Sequence, residues 1–210
     1  MHAQYRVKYR EASLGITASS LITYGLGGIP DAHLISDANW GGDFRPERRD
    51  WDRSAYLFGG LQLGIAGITA LYVPQNQQLD LFLISSHTLS ITYLLSQTSK
   101  ALMPRLRPYA MNGATNNDYN KSFWSGTSAL SLALTGLTWR FADAYFPNGK
   151  MYVKASSLIL GSAVMYSRVK AGQHHTSDVL VGGLVGFCIG YFLPRINRIE
   201  YRPTGLVVRF

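Results

Sequence analysis

The stretch SRVKAGQHHTSDVLVGG, residues 167–183, places a serine, two basic residues, two adjacent histidines and an aspartate directly before an apolar, glycine-rich run. If a helix begins just before Val179, His174 and Asp178 lie on one helical face, where a carboxylate can hydrogen-bond an imidazole. That bond fixes one ring nitrogen as a donor and leaves the other free to attack. Arg168, at the end of the preceding helix, can return across the turn to clamp a phosphate. The stretch therefore predicts a phosphotransfer site, and the alternative interpretation is a solvated polar turn.

Six apolar segments separated by polar loops make up most of the 210-residue chain. Their lengths favour helices, and strand-like alternation is confined to the last few residues. The expected fold is all-α, a six-helix bundle that forms one domain over residues 1–210, with room for a short terminal strand. The segments are 14–29, 55–73, 79–95, 126–139, 153–166 and 179–193.

The composition points to a membrane setting and an anionic partner. Hydrophobic residues make up 47% of the chain and charged residues 15%, with a formal net charge of +8. The basic residues are scattered singly among apolar segments, which argues against nucleic acid and favours phosphate or an anionic membrane surface. Several segments have about 15 residues and reach only about 22 Å, whereas a hydrocarbon core measures about 30 Å. With a mean hydropathy of +0.01, the bundle is expected to be membrane-embedded or membrane-associated.

Two further polar stretches are expected at the same end of the bundle as the opening stretch. KALMPRLRP, residues 100–108, follows the third apolar segment, and KSFWSGTSA, residues 121–129, precedes the fourth. Helices joined by short loops alternate in direction, so these two stretches and the turn between helices five and six lie at one end. The sequence therefore predicts that three polar clusters converge on one site.

The spacing of these residues resembles the three-part signature of the type 2 phosphatidic acid phosphatases, whose superfamily includes the vanadium haloperoxidases. The third part fixes four positions, a combination that arises by chance in about one chain of this length in a thousand. The resemblance covers mainly residues 79–193. The matching residues are Lys100, Arg107-Pro108, Ser125-Gly126, Ser167-Arg168, His174 and Asp178.

The resemblance implies a reaction in which His174 attacks phosphorus, Asp178 orients it and water hydrolyses the phosphohistidine. No metal and no cofactor is implied. In the alternative interpretation, Lys100 and Arg107 are juxtamembrane charges and Ser125 is a helix N-cap. In the family, the phosphate oxygens are held by residues that correspond here to Lys100, Arg107, Ser125, Gly126 and Arg168.

One departure concerns the second part of the signature. The family ordinarily reads Pro-Ser-Gly-His, whereas this chain reads WSGT, residues 124–127, so the histidine is either replaced by Thr127 or deleted before it. That histidine protonates the leaving oxygen, a general-acid role worth about 10² to 10⁴ in rate. His175, His87 and Asp118 are alternative candidates for this acid, and none has a spacing that assigns it the role.

The function implied by the resemblance is hydrolysis of phosphate monoesters or pyrophosphates of membrane lipids, impaired by loss of the second-motif histidine. The alternative is a non-catalytic member of the family that binds a lipid phosphate, and a vanadium-dependent haloperoxidase comes third. The expected location is the cell envelope, as an integral membrane protein whose site faces the periplasm or exterior. The alternative location is a periplasmic, membrane-associated protein.

Overall fold

Five α-helices dominate the computed structural model, which describes residues 4–5, 18, 46–112, 119–146, 148–196, 198–202 and 205–207. A 3-10 helix covers Pro108–Asn112, and three short strands form an antiparallel sheet in the order β1-β2-β3. The helices are α1 (Pro46–Leu71), α2 (Gln75–Leu102), α3 (Gly126–Tyr145), α4 (Lys150–Lys170) and α5 (Thr176–Ile196); the strands are β1 (Gln4–Tyr5), β2 (Arg198–Arg202) and β3 (Gly205–Val207).

The all-α prediction is confirmed. The five helices correspond to the second to sixth apolar segments, and each extends beyond its segment at one or both ends. The extensions are polar, because a helix continues into water for as long as its backbone hydrogen bonds and caps are satisfied. The first predicted helix, residues 14–29, lies outside the described residues except for residue 18, so a count of six helices stays a prediction.

Helices α3 and α5 run parallel with their backbones in direct contact. A Cβ atom added to Gly186 would lie 1.9 Å from the carbonyl oxygen of Ala129, and one added to Gly190 would lie 2.0 Å from that of Ala133. Small residues that recur every fourth position give each helix a flat strip, which lets two helices approach more closely than larger side chains permit. The close contact fixes the register of α5 along α3.

A polar seam joins α1, α3 and α4 inside the bundle. The Gln62 side chain is fully buried, and its amide donates to the Ser131 carbonyl and to the Thr135 hydroxyl, each at 2.7 Å. In return the Ser131 hydroxyl donates to Oε1 of Gln62 at 2.5 Å. Because α3 occupies the centre of the bundle, its serine and threonine side chains face other helices rather than lipid. Short, Ser/Thr-rich apolar segments are therefore compatible with a membrane protein.

Three of the described helices are long and apolar enough to cross a membrane, namely Arg48–Leu71, Gln75–Leu102 and Thr176–Arg195. Their outer faces carry large exposed apolar side chains, among them Leu63, Phe82 and Leu184, which are 59%, 66% and 66% exposed. Surfaces of this kind are stable against hydrocarbon and unfavourable in water. These helices fit an integral membrane protein.

Alanine substitutions at Gly186 and Gly64 should have opposite effects on stability. Gly186→Ala forces its methyl group against the α3 backbone and should cost about 1–3 kcal/mol or more. Gly64 of α1 has open space around its Cβ position. Gly64→Ala should therefore be neutral or stabilise by up to about 1 kcal/mol through helix propensity. Thermal unfolding of both variants in detergent measures the difference, and equal midpoints would contradict the contact between α3 and α5.

Candidate active site

Three chain segments meet at the end of the bundle where α2 ends and where α3 and α5 begin. The backbone N–H of Ser125, just before α3, donates to the carbonyl oxygen of Asp178 in α5 at 3.1 Å. A Cβ atom at Gly126 would lie 3.7 Å from Nζ of Lys100 in the last turn of α2. The structure thus brings together residues from all three polar stretches of the sequence.

His174 lies at the centre of this site, in the turn that joins α4 to α5. The residue is 3% exposed. Burial lowers the pKa of its imidazole well below the usual value of 6.5, and the positive charges of Arg107, Arg168 and Lys100 lower this pKa further. A hydrogen bond to the Ser122 carbonyl acts in the opposite direction, toward a higher pKa. The ring is therefore neutral near pH 7, as a nucleophile must be.

Buried hydrogen-bond donors without partners surround the imidazole. Arg107 donates from one guanidinium nitrogen to Oε1 of Gln173 at 2.5 Å, and Arg168 forms an ion pair with Asp52 of α1. Nε of each arginine and Nε2 of Gln173 are nevertheless buried with no hydrogen-bond partner among the described residues. Buried donors are rarely left unsatisfied, because each costs about 1–3 kcal/mol. These three donors, two of which belong to guanidinium groups, form a site complementary to an oxyanion.

The carbonyl oxygen of Ser122 orients His174, and the predicted bond from Asp178 is not the one that forms. Nδ1 of His174 lies 2.8 Å from this carbonyl oxygen. A carbonyl can only accept, so Nδ1 carries the proton and Nε2 keeps its lone pair for attack. The prediction assumed that His174 and Asp178 share a helical face, but α5 begins at Thr176 and His174 lies in the preceding turn.

Asp178 instead organises the segments around the histidine. Its carboxylate accepts from the Ser122 hydroxyl at 2.5 Å and from the backbone N–H of His175 at 3.2 Å, and it forms an ion pair with Arg105. The bond to His175 is half of a capping box at the start of α5. Asp178 therefore contacts the same residue whose carbonyl orients His174, and its link to the imidazole passes through Ser122.

The loop that carries Ser122 is held by backbone and side-chain hydrogen bonds. The Ser122 N–H donates to the carbonyl of Arg105 at 3.0 Å, and the Arg105 N–H donates to the carbonyl of Asn120 at 2.8 Å. At the next turn the hydroxyl of Ser99 in α2 accepts from the backbone N–H of Trp124 at 3.2 Å. The position of the Ser122 carbonyl is thus fixed from both neighbouring segments.

The second motif forms the N-terminus of α3. Ser125 is the N-cap, and its hydroxyl accepts from the Ser128 backbone N–H at 3.4 Å and from the Ser128 hydroxyl at 2.9 Å. The capping role considered from the sequence is therefore present. A Cβ atom at Gly126 would lie 2.6 Å from Oγ of Ser96, so a side chain there would require the Ser96 hydroxyl to move. Thr127 follows in the first turn of α3 and is half-buried.

The structure describes two of the three residues weighed as a replacement acid, His175 and His87. Nε2 of His175 lies 3.0 Å from the carbonyl of Leu106, on the exposed side of the turn. His87 lies about four turns before the end of α2, near the middle of the helix. Asp118 lies outside the described residues. Thr127, in the first turn of α3, is the residue that follows Ser125-Gly126 in the second motif.

Sequence reasoning did not single out Asp52, Arg105, Ser122 or Gln173. Arg105 and Gln173 stand inside the quoted polar stretches, but no spacing rule distinguishes them from solvated residues. Asp52 meets its partner across 116 residues of sequence, a distance over which no local pattern operates. Ser122 touches the imidazole through its backbone, so its side chain gives no signal for that contact.

Comparisons with known proteins identify the family of this chain. The family model of the PAP2 superfamily matches residues 81–202. The chain is also similar to the crystal structure of a transmembrane PAP2 type phosphatidylglycerolphosphate phosphatase from Bacillus subtilis, with 18% identity over 89% of this chain and 94% of that chain and a TM-score of 0.41. No curated protein matches the chain. Because the family match spans more than half of its length, the chain belongs to the PAP2 superfamily.

Proposed function

We propose that this protein hydrolyses phosphate monoesters or pyrophosphates of membrane lipids through a phosphohistidine formed on His174. Membership of the PAP2 superfamily supports a phosphatase-type function. The observation that carries the proposal is the neutral, oriented imidazole of His174 beside buried guanidinium donors without partners. Attack on a bound phosphate requires a neutral nucleophile and cationic hydrogen-bond donors that can bind the phosphate oxygens.

In this proposal the substrate phosphate fills the site around His174. Nε of Arg107 and Nε of Arg168 donate to its oxygens, and Lys100 adds positive charge. The N-terminus of α3 contributes the backbone N–H of Gly126 and the positive end of the helix dipole. Ser125, as N-cap, fixes where that helix begins and supplies a hydroxyl at the same place. These groups hold the phosphorus in front of Nε2.

The chemical steps follow from the hydrogen bond at Nδ1. Nε2 attacks phosphorus, the bond between phosphorus and the leaving oxygen breaks, and the imidazolium that forms is stabilised by the Ser122 carbonyl. Asp178 maintains this carbonyl in place by binding the Ser122 hydroxyl. Water then attacks the phosphohistidine, which releases phosphate and restores neutral His174. The leaving oxygen must take its proton from water, because the hydroxyl of Thr127 does not titrate near neutrality.

A non-catalytic protein that binds a lipid phosphate is the second candidate, and Thr127 is the observation that favours it. Loss of the general acid removes a rate factor of about 10² to 10⁴ while leaving the phosphate-binding groups intact. A vanadium-dependent haloperoxidase ranks third, since it uses the same type of anion site but is also expected to need the missing histidine.

For location, we propose that the site faces the periplasm or exterior, because the arginines near the C-terminus favour a cytoplasmic terminus.

Replacement of His174 should abolish phosphate release, whereas replacement of its neighbour should not. Phosphate release is measured with the purified protein and a panel of phosphatidic acid, phosphatidylglycerol phosphate and a polyprenyl pyrophosphate. His174→Ala should lower kcat by about 10³-fold or more because it removes the nucleophile. The matched control, His175→Ala, removes an exposed ring and should keep most of the activity. Equal release by the parent and His174→Ala would identify a contaminant and reject the enzyme, leaving the binding protein as the better candidate.

The low pKa of His174 predicts a specific dependence of stability on pH. Its pKa is lower in the folded state than in the unfolded chain, so below about pH 6.5 the unfolded chain binds the extra proton. The stability contributed by the neutral ring is present above about pH 6.5 and is lost as pH falls. Thermal unfolding in detergent from pH 8 to pH 5 should therefore show a steeper loss for the parent than for His174→Gln. Parallel curves would contradict a lowered pKa.

Restoring the missing acid should change the preference among leaving groups. Without a general acid, an aryl phosphate should be cleaved far better than an alkyl lipid phosphate, because an aryl oxide leaves without protonation. Thr127→His should raise turnover of the alkyl substrate by about 10- to 1,000-fold, with a smaller gain on the aryl substrate.

Thr127→His is the appropriate form of this experiment because it preserves the register of α3. A histidine inserted after Gly126 would displace Ser125 and Gly126 relative to Ala129, which is locked against α5. The insertion therefore serves as the comparison. Brisk alkyl-phosphate turnover by the parent, with no gain from either form, would show that another residue is the acid.

A further inference from the structure

A second cluster of positive charge lies at the end of the bundle opposite the candidate active site. Helices α3 and α5 both begin at the active site and run parallel, so their C-terminal turns reach the other membrane face together. Arg140 lies in the penultimate turn of α3, and Arg195 lies in the last turn of α5. Both guanidinium groups approach the ring of Tyr191, at 5.1 Å and 5.7 Å from its centroid.

Arg140 is buried without a counter-ion. The residue is 6% exposed, and its Nε is buried with no hydrogen-bond partner. Over the described part of the chain its guanidinium takes part in no hydrogen bond or ion pair, and it lies over the Tyr191 ring. The acidic residue one turn further along α3, Asp143, is occupied by Lys154 at 2.7 Å. A desolvated charge without a partner is strongly unfavourable, so an anion is expected at this place.

Arg195 provides the second half of the site. It is exposed, and its guanidinium lies 5.6 Å from the Phe192 ring as well as beside Tyr191. An anion beside the Tyr191 ring would offset the positive charge of both guanidinium groups. Guanidinium groups bind phosphate oxygens through paired hydrogen bonds, and aromatic faces hold the groups in the required orientation.

The surroundings identify the membrane interface as the source of this anion. The candidate span in α5 ends at Arg195, and Phe192 is 51% exposed on the apolar outer face one turn earlier. Aromatic and basic residues at the end of a span lie at the level of lipid head groups. We propose that Arg140 and Arg195 bind the phosphate group of an anionic phospholipid in the leaflet opposite the candidate active site. This site is independent of the phosphatase reaction.

The test compares lipid-dependent stabilisation of the parent with that of Arg140→Gln. The full-length protein, purified in a neutral detergent, is titrated with phosphatidylglycerol, with phosphatidylcholine and with inorganic phosphate, and the unfolding midpoint is followed. Phosphatidylglycerol should raise the midpoint of the parent by several degrees, and Arg140→Gln should bind it about tenfold or more weakly. The matched control is Lys154→Gln, which removes a paired cation from the same face and should respond like the parent.

A second readout distinguishes a lipid site from a purely structural arginine. Without added lipid, Arg140→Gln should be at least as stable as the parent, because it removes a buried charge that has no partner. A structural arginine predicts the same loss of stability with and without phosphatidylglycerol, and that outcome would overturn the proposal. If inorganic phosphate reproduces the whole Arg140-dependent shift, the ligand is free phosphate and the lipid is rejected. Should Arg140→Gln fail to fold, the exposed Arg195→Gln is used, and an unchanged lipid response from it rejects the site.

Discussion

The direct backbone contact between α3 and α5 is the constraint on which the rest of the structure depends. Gly186 and Gly190 admit the carbonyls of Ala129 and Ala133, and this fixes both the separation and the register of the two parallel helices. One turn earlier, the same register allows the N–H of Ser125 to reach the carbonyl of Asp178. The N-terminus of α3 and the turn that carries His174 are consequently side by side, which no loop could enforce as rigidly.

The central helix α3 also explains why the mean hydropathy of this membrane protein is only +0.01. The polar side chains of α3 are turned inward, where Gln62 of α1 satisfies Ser131 and Thr135. The apolar side chains that face outward belong mainly to α1, α2, α4 and α5. A sequence average counts the inward polar groups and the outward apolar groups alike, although only the second group contacts lipid. The lengths of the apolar segments therefore predicted the helices better than the average hydropathy predicted their environment.

The charges of the site could be predicted from sequence, but its hydrogen bonds could not. The spacing of Lys100, Arg107, Arg168 and His174 predicted a common site because helix direction alone brings these residues to one end. The predicted hydrogen bond between His174 and Asp178 was wrong, because the prediction depended on where α5 begins. Helix ends are the part of a helix that sequence patterns locate least well. The ion pair of Arg168 with Asp52 depends on how α1 packs, which is a property of the whole bundle.

The orientation of His174 by a backbone carbonyl affects how this protein can vary. Every amino acid has a carbonyl, so no single substitution at position 122 deletes the group that accepts from Nδ1. If the proposed reaction holds, a genetic screen for inactive proteins would detect changes at Asp178, which contacts Ser122 through its side chain, and would miss the carbonyl contact that directs the ring. A substitution at position 122 keeps the carbonyl but removes the hydroxyl that Asp178 binds, so the tautomer of His174 is kept only where the loop still follows the same path.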